Sequence, residues 1–279
     1  MRDELIVLMG EQRYKVDHSW AKFRHNECFG KISRLALDSS GNLYVFQRTN
    51  PPVLVFSNNG KRIDCWGEGV FADAHGIFIN KDDLMMLVDR DAHEILACEL
   101  SGEIRFRIGT RNHPHFNKPF NHPTDIVQAS NGDLYISDGY GNSNVHCFTF
   151  EGEYKFSWGK QGSGPGEFST PHAIWIDPLE RILVADRENN RIQLFDLDGH
   201  YIESWYDFYH PMDIYGDKNG NLFVSDQIPR LSMLSLGGEL VGRCRPVLFG
   251  AHGISGDLNG NLYLAEAAPV NSVTRLHPI

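Results

Sequence analysis

The sequence predicts an all-β fold, a single six-bladed β-propeller over residues 1–279, and three observations predict it. A strand–turn–strand pattern recurs six times. The recurrences are spaced by 40 to 49 residues. The last repeat is one strand short, and a spare strand stands at the N-terminus. Repeats of this length built from short strands mean propeller blades.

The repeats begin at Ser33 (SRLALDSSGNLYVFQR), His75 (HGIFINKDDLMMLVDR), Thr124 (TDIVQASNGDLYISDG), His172 (HAIWIDPLERILVADR), Met212 (MDIYGDKNGNLFVSDQ) and His252 (HGISGDLNGNLYLAEA). Alternating apolar positions mark two strands, and SGN, NGD or NGN between them is a strong hairpin signal. A third strand follows, as in RIQLFDL, then a DG or EG turn and a fourth strand. That fourth strand ends in an apolar residue and glycine at Trp66-Gly67, Ile108-Gly109 and Trp158-Gly159. Blade five ends less regularly, near Gly242-Arg243-Cys244. The sixth repeat runs out at Ile279 after three strands. The stretch ELIVLMG ends in Met9-Gly10 as a fourth strand does, so it is expected to complete the last blade and remove an open sheet edge.

Composition narrows the function classes. With 41% hydrophobic residues the chain can bury a sizeable core. No apolar run approaches the roughly 20 residues of a membrane span. The net charge is −10 and no basic stripe is visible, which argues against a nucleic-acid partner. Leu5–Met9 is too short for the apolar core of a signal peptide, and acidic residues precede it. The five cysteines, Cys28, Cys65, Cys98, Cys147 and Cys244, are odd in number, widely spaced and without a CxxC. They are read as reduced thiols, and a cytoplasmic location is expected.

The chemistry lies in two registers. The residue opening the innermost strand is Ser33, His75, Thr124, His172, Met212 or His252. Histidine therefore opens blades two, four and six, about 120° apart on the ring. Three imidazoles meeting on one axis form the ligand set of an open zinc site. A lone histidine at a strand start is usually structural, but three in one register at alternate blades point to a metal. His113 and His115, in a proline-rich loop, are read as solvent-exposed. The second register, at the end of the second strand, holds Arg48, Arg90, Gly139, Arg187, Gln227 and Ala267, with Tyr140 after Gly139. An arginine there can grip a carboxylate through two parallel hydrogen bonds, or pair with acids between blades. The preceding acids Asp89, Asp138, Asp186, Asp226 and Glu266 are read as scaffold.

The stretches HPTDIVQASNGDLYISDGYGNS and WGKQGSGPGEFSTPHAIWIDPLERILVADRENNRIQLFD resemble the peptidyl-α-hydroxyglycine α-amidating lyase family of NHL-repeat propellers. The resemblance covers nearly the whole chain and is sharpest from about residue 121 to 196. It implies a six-bladed propeller with a catalytic zinc on His75, His172 and His252. It implies roles for Tyr140 in SDGY and for two substrate-binding arginines, Arg48 and Arg187. It also implies a calcium ion on the backbone carbonyls of Leu35 and Ile77, with an aspartate after the third histidine; Gly253 stands there in this chain. The family's disulfide cysteines are replaced by Gly141 and Leu194.

The implied reaction is cleavage of the N–C bond of an α-hydroxyglycine-type carbinolamide to an amide and glyoxylate. The substrate is expected to be a peptide or a smaller molecule bearing that group. Two other readings compete. A calcium-dependent lactonase-like hydrolase on the same fold would show Glu, Asn and Asp along its channel, where this sequence offers His, Ser, Thr and Met. A non-catalytic propeller binding a protein has no need of three histidines in one register.

Overall fold

The structure, a computed structural model, describes residues 4–24, 27–266 and 268–279. Six antiparallel sheets, one per blade, make the chain a six-bladed β-propeller. It divides into two compact units, Met1–Trp66 with Met212–Ile279, and Gly67–Pro211. Among the described residues no helix is long and apolar enough to cross a membrane.

The first unit holds three blades. Blade one is β3 (Ile32–Leu37), β4 (Leu43–Gln47), β5 (Val53–Phe56) and β6 (Arg62–Trp66). Blade five is β19 (Pro211–Gly216), β20 (Leu222–Asp226), β21 (Leu231–Leu234) and β22 (Leu240–Cys244). Blade six is β23 (Ala251–Gly256), β24 (Leu262–Glu266) and β25 (Ser272–Pro278), completed by β2 (Gln12–Asp17) and flanked by β1 (Ile6–Met9).

The N-terminal segment closes the last blade as expected, but β2 rather than β1 takes the fourth place. Tyr14 pairs with Pro278 and Val16 with Leu276, while β1 is a fifth strand beyond them. Burial follows the pairing, with Met9 the one fully buried residue of β1. Tyr14 and Val16 pack into a core with Phe223, Leu264 and Leu276, whereas Leu5, Ile6 and Leu8 stay exposed. A second core, around Trp20, Val45, Phe56 and Tyr263, joins blades six and one.

The second unit holds blade two, β7 (Ala74–Ile79), β8 (Met85–Asp89), β9 (Glu94–Cys98) and β10 (Ile104–Gly109). Blade three is β11 (Pro123–Gln128), β12 (Leu134–Asp138), β13 (Asn144–Phe148) and β14 (Tyr154–Trp158). Blade four is β15 (Pro171–Ile176), β16 (Ile182–Asp186), β17 (Arg191–Phe195) and β18 (Tyr201–Trp205). Met86, Val88, Phe120, Ile136 and Phe148 pack blades two and three together, and Tyr135, Val145, Phe168, Val184 and Phe195 pack three and four.

Local chemistry sets the inner hairpins. The acids Asp38, Asp177, Asp217 and Asp257 each accept two backbone N–H groups of the turn between the first and second strands. In blade one the turn glycine, Gly41, sits at φ +78°. Asp83 and Glu180 take the left-handed conformation in blades two and four, where the sequence offers no glycine. The inner strands of blades one, two, three, four and six each carry a β-bulge at or beside their register residue. A bulge re-aims a side chain, so every one of the three histidines sits where its direction is set by the backbone.

Candidate active site

In the second unit, β7 and β15 present His75 and His172, both fully buried. Their ring centroids lie 5.1 Å apart, and they offer ring nitrogens within 4.8 Å of each other. His75 Nδ1 lies 2.6 Å from the carbonyl oxygen of Thr124, the register residue of blade three. A carbonyl only accepts, so Nδ1 carries the proton and Nε2 keeps its lone pair. This is the orientation that ligating imidazoles need. Gly76 makes the approach feasible, since a Cβ there would meet that same carbonyl at 2.8 Å.

Tyr140 completes the group. Its hydroxyl lies 3.3 Å from His75 Nε2, 3.1 Å from His172 Nε2 and 3.1 Å from Arg187 Nη1, which donates to it. The loop before and after the tyrosine packs backbone on backbone: a Cβ at Gly139 would lie 2.2 Å from the Pro171 carbonyl oxygen. The acids read as scaffold do that work. Asp138 accepts from the Asn121 N–H and from Asn142 and His146, and Asp186 accepts from the Ser169 N–H, Asn189 and Arg191. Each ties the segment entering the first strand to the end of the second.

Arg90, in the rim register where an arginine can grip a carboxylate or pair with acids, also reaches this group. Its guanidinium carbon lies 5.1 Å from the Tyr140 ring centroid, and that of Arg187 lies 5.3 Å from it. Asp73 and Asp91 hold Arg90 at 3.1 and 2.8 Å. Two guanidiniums against one phenol ring form a cation–π pair that fixes the ring. Nothing in the spacing of residues reports such a contact.

The first unit repeats the histidine device. His252 Nδ1 lies 2.9 Å from the Ser33 carbonyl oxygen, which again leaves Nε2 as the acceptor nitrogen. Arg48 Nε donates to the Ser33 hydroxyl at 2.9 Å. Ala267, the last member of the rim register, lies outside the described residues. His113 and His115 are exposed. None of the five cysteines is in a disulfide, and burial pushes the Cys98 and Cys147 thiols up to about 11, which keeps them protonated and inert.

An imidazole locked as an Nε2 acceptor beside a second buried imidazole, as His75 is beside His172, suits a divalent transition metal such as zinc. The calcium implied by the resemblance is not matched. Gly253 brings no carboxylate, and the residue next to Leu35 is a buried arginine.

A family model described as 6-bladed beta-propeller matches residues 122–230. The human NHL repeat-containing protein 3 is 30% identical over 243 residues, covering 80% of this chain and 69% of its own. The chain belongs to the NHL-repeat propeller family. The rat peptidylglycine alpha-amidating monooxygenase is 31% identical over 204 residues, covering 61% of this chain and 21% of its own. The probable peptidyl-alpha-hydroxyglycine alpha-amidating lyase of Caenorhabditis elegans is 27% identical over 205 residues, covering 62% of this chain and 57% of its own. The chain thus spans about a fifth of the rat protein. Two solved structures share the fold: a streptogramin B lyase (TM-score 0.68, 13% identity, 97% of this chain and 87% of that one) and a gluconolactonase from Xanthomonas campestris (TM-score 0.72, 14% identity, 97% and 91%).

Proposed function

We propose that this NHL propeller is a zinc-dependent lyase that cleaves R–CO–NH–CH(OH)–COO⁻ to R–CO–NH₂ and glyoxylate. The observation that carries the reading is the Tyr140 hydroxyl within hydrogen-bonding reach of His75 Nε2, His172 Nε2 and Arg187. His252 is taken as the third ligand, supported by its register and by the same Nδ1-to-carbonyl lock as His75. A zinc ion bound by the three imidazoles would polarise the substrate hydroxyl and favour its deprotonation near neutral pH.

The chain's own residues handle the proton. As the C–N bond breaks and the carbon–oxygen bond becomes a carbonyl, the hydroxyl proton must reach the departing nitrogen. Tyr140 is assigned to give its phenolic proton to the nitrogen while it takes up the hydroxyl proton, so atoms and charge balance without added water. Arg187 and Arg48 grip the substrate carboxylate and fix its orientation. Arg90 holds the Tyr140 ring. The same proposal takes residues 1–279 as one domain in a reducing cytoplasm, supported by the unpaired cysteines.

Zinc-loaded protein incubated with α-hydroxyhippurate should release glyoxylate saturably. Release no faster than the spontaneous reaction would refute the lyase reading.

A further inference from the structure

A charged pair lies buried in the first unit, one residue past the register. Arg34 on β3 and Asp213 on β19 are each 3% exposed. The Arg34 guanidinium pairs with Asp213 Oδ1 through Nη1, and its Nη2 donates to the Met212 carbonyl at 3.3 Å. Asp213 Oδ1 also accepts from the Ile214 N–H at 2.8 Å. Its other oxygen accepts from the Ile254 N–H, on β23, at 2.8 Å. One carboxylate therefore links a guanidinium of blade one, its own strand in blade five and a backbone N–H of blade six.

A carboxylate taken this far out of water needs a cation beside it. The residue after His252 that would bring a calcium-binding carboxylate is Gly253. A Cβ there would lie 2.9 Å from the Ser33 carbonyl oxygen and 3.0 Å from Arg34 Cα. An aspartate at this place would collide with backbone, and the residue preceding Leu35 brings a buried positive charge that Asp213 already holds.

We infer that the Arg34 guanidinium is the built-in structural cation of this propeller, tying the inner strands of blades one, five and six through Asp213, so that the fold requires no calcium. The inference is independent of zinc and of turnover. It is tested on zinc-loaded wild type, Arg34→Met and the uncharged double variant Arg34→Met/Asp213→Asn, by calcium content from mass spectrometry and by thermal melts.

Wild type should carry no calcium, and its Tm should move by less than about 1 °C on adding about 1 mM calcium. Arg34→Met should melt on the order of 10 °C lower, because it strands a buried carboxylate. The double variant should recover part of that loss. Stoichiometric calcium in wild type, a rise of several degrees with calcium, or an Arg34→Met variant that melts like wild type would overturn the inference. If Arg34→Met does not fold, the double variant decides: folded and indifferent to calcium supports the inference, and calcium-responsive refutes it.

Discussion

At Tyr140 two imidazoles and a guanidinium converge on one phenolic oxygen, and two guanidiniums flank its ring. Removing only that oxygen isolates its chemistry. Tyr140→Phe should keep its zinc and lose about 10²- to 10⁴-fold in kcat for glyoxylate release, the usual worth of a positioned proton donor. An unchanged kcat would remove Tyr140 from its role. Arg90→Ala should act through the ring: kcat falling by about 10- to 100-fold, zinc content and KM nearly unchanged. A rise in KM alone would mean that Arg90 binds substrate instead. These two residues differ in how far the sequence reveals them. Tyr140 stands in a motif, SDGY, that carries a resemblance. Arg90 sits in a visible register, but its contact with a tyrosine one blade away depends on rotamers that no spacing encodes.

The strand bearing each histidine is tuned by its neighbours. Gly76 brings the backbone of β7 close to the Thr124 carbonyl that orients His75. Gly76→Ala should cost roughly 1–3 kcal/mol of stability by overpacking. It should also weaken zinc binding by about tenfold or more, measured by chelator competition, because the ligand's supporting contact shifts. The repeat register was legible because an apolar strand, a turn rich in Gly, Asn or Asp and a second apolar strand recur in every blade, with an acid ending the second strand in five of them. The supporting carbonyls of Thr124 and Ser33 were not, since every residue carries one. The closing strand was half legible. Met9-Gly10 correctly marks a strand end, but only the inward burial of Tyr14 and Val16 shows that β2 pairs with β25. Deleting residues 1–17 should bare the edge of β25, and the protein should then elute as oligomers or aggregates in size-exclusion chromatography. A monomer of unchanged Tm would contradict the closure role.

At the scale of the whole chain, six sheets repeat one strand order, and histidine recurs at the same register step of blades two, four and six. A net charge of −10 leaves cation binding electrostatically easy without fixing its place. The proposed zinc site assigns that place to the histidines of blades two, four and six, and Nδ1 of His75 and of His252 is held by a carbonyl. The most direct test is the metal content of freshly purified wild type beside His172→Ala and His252→Ala, by mass spectrometry. Wild type should carry stoichiometric zinc, and both variants should lose it together with glyoxylate release. Wild type that neither carries nor takes up zinc, or a His252→Ala variant that keeps its full complement, would contradict the account.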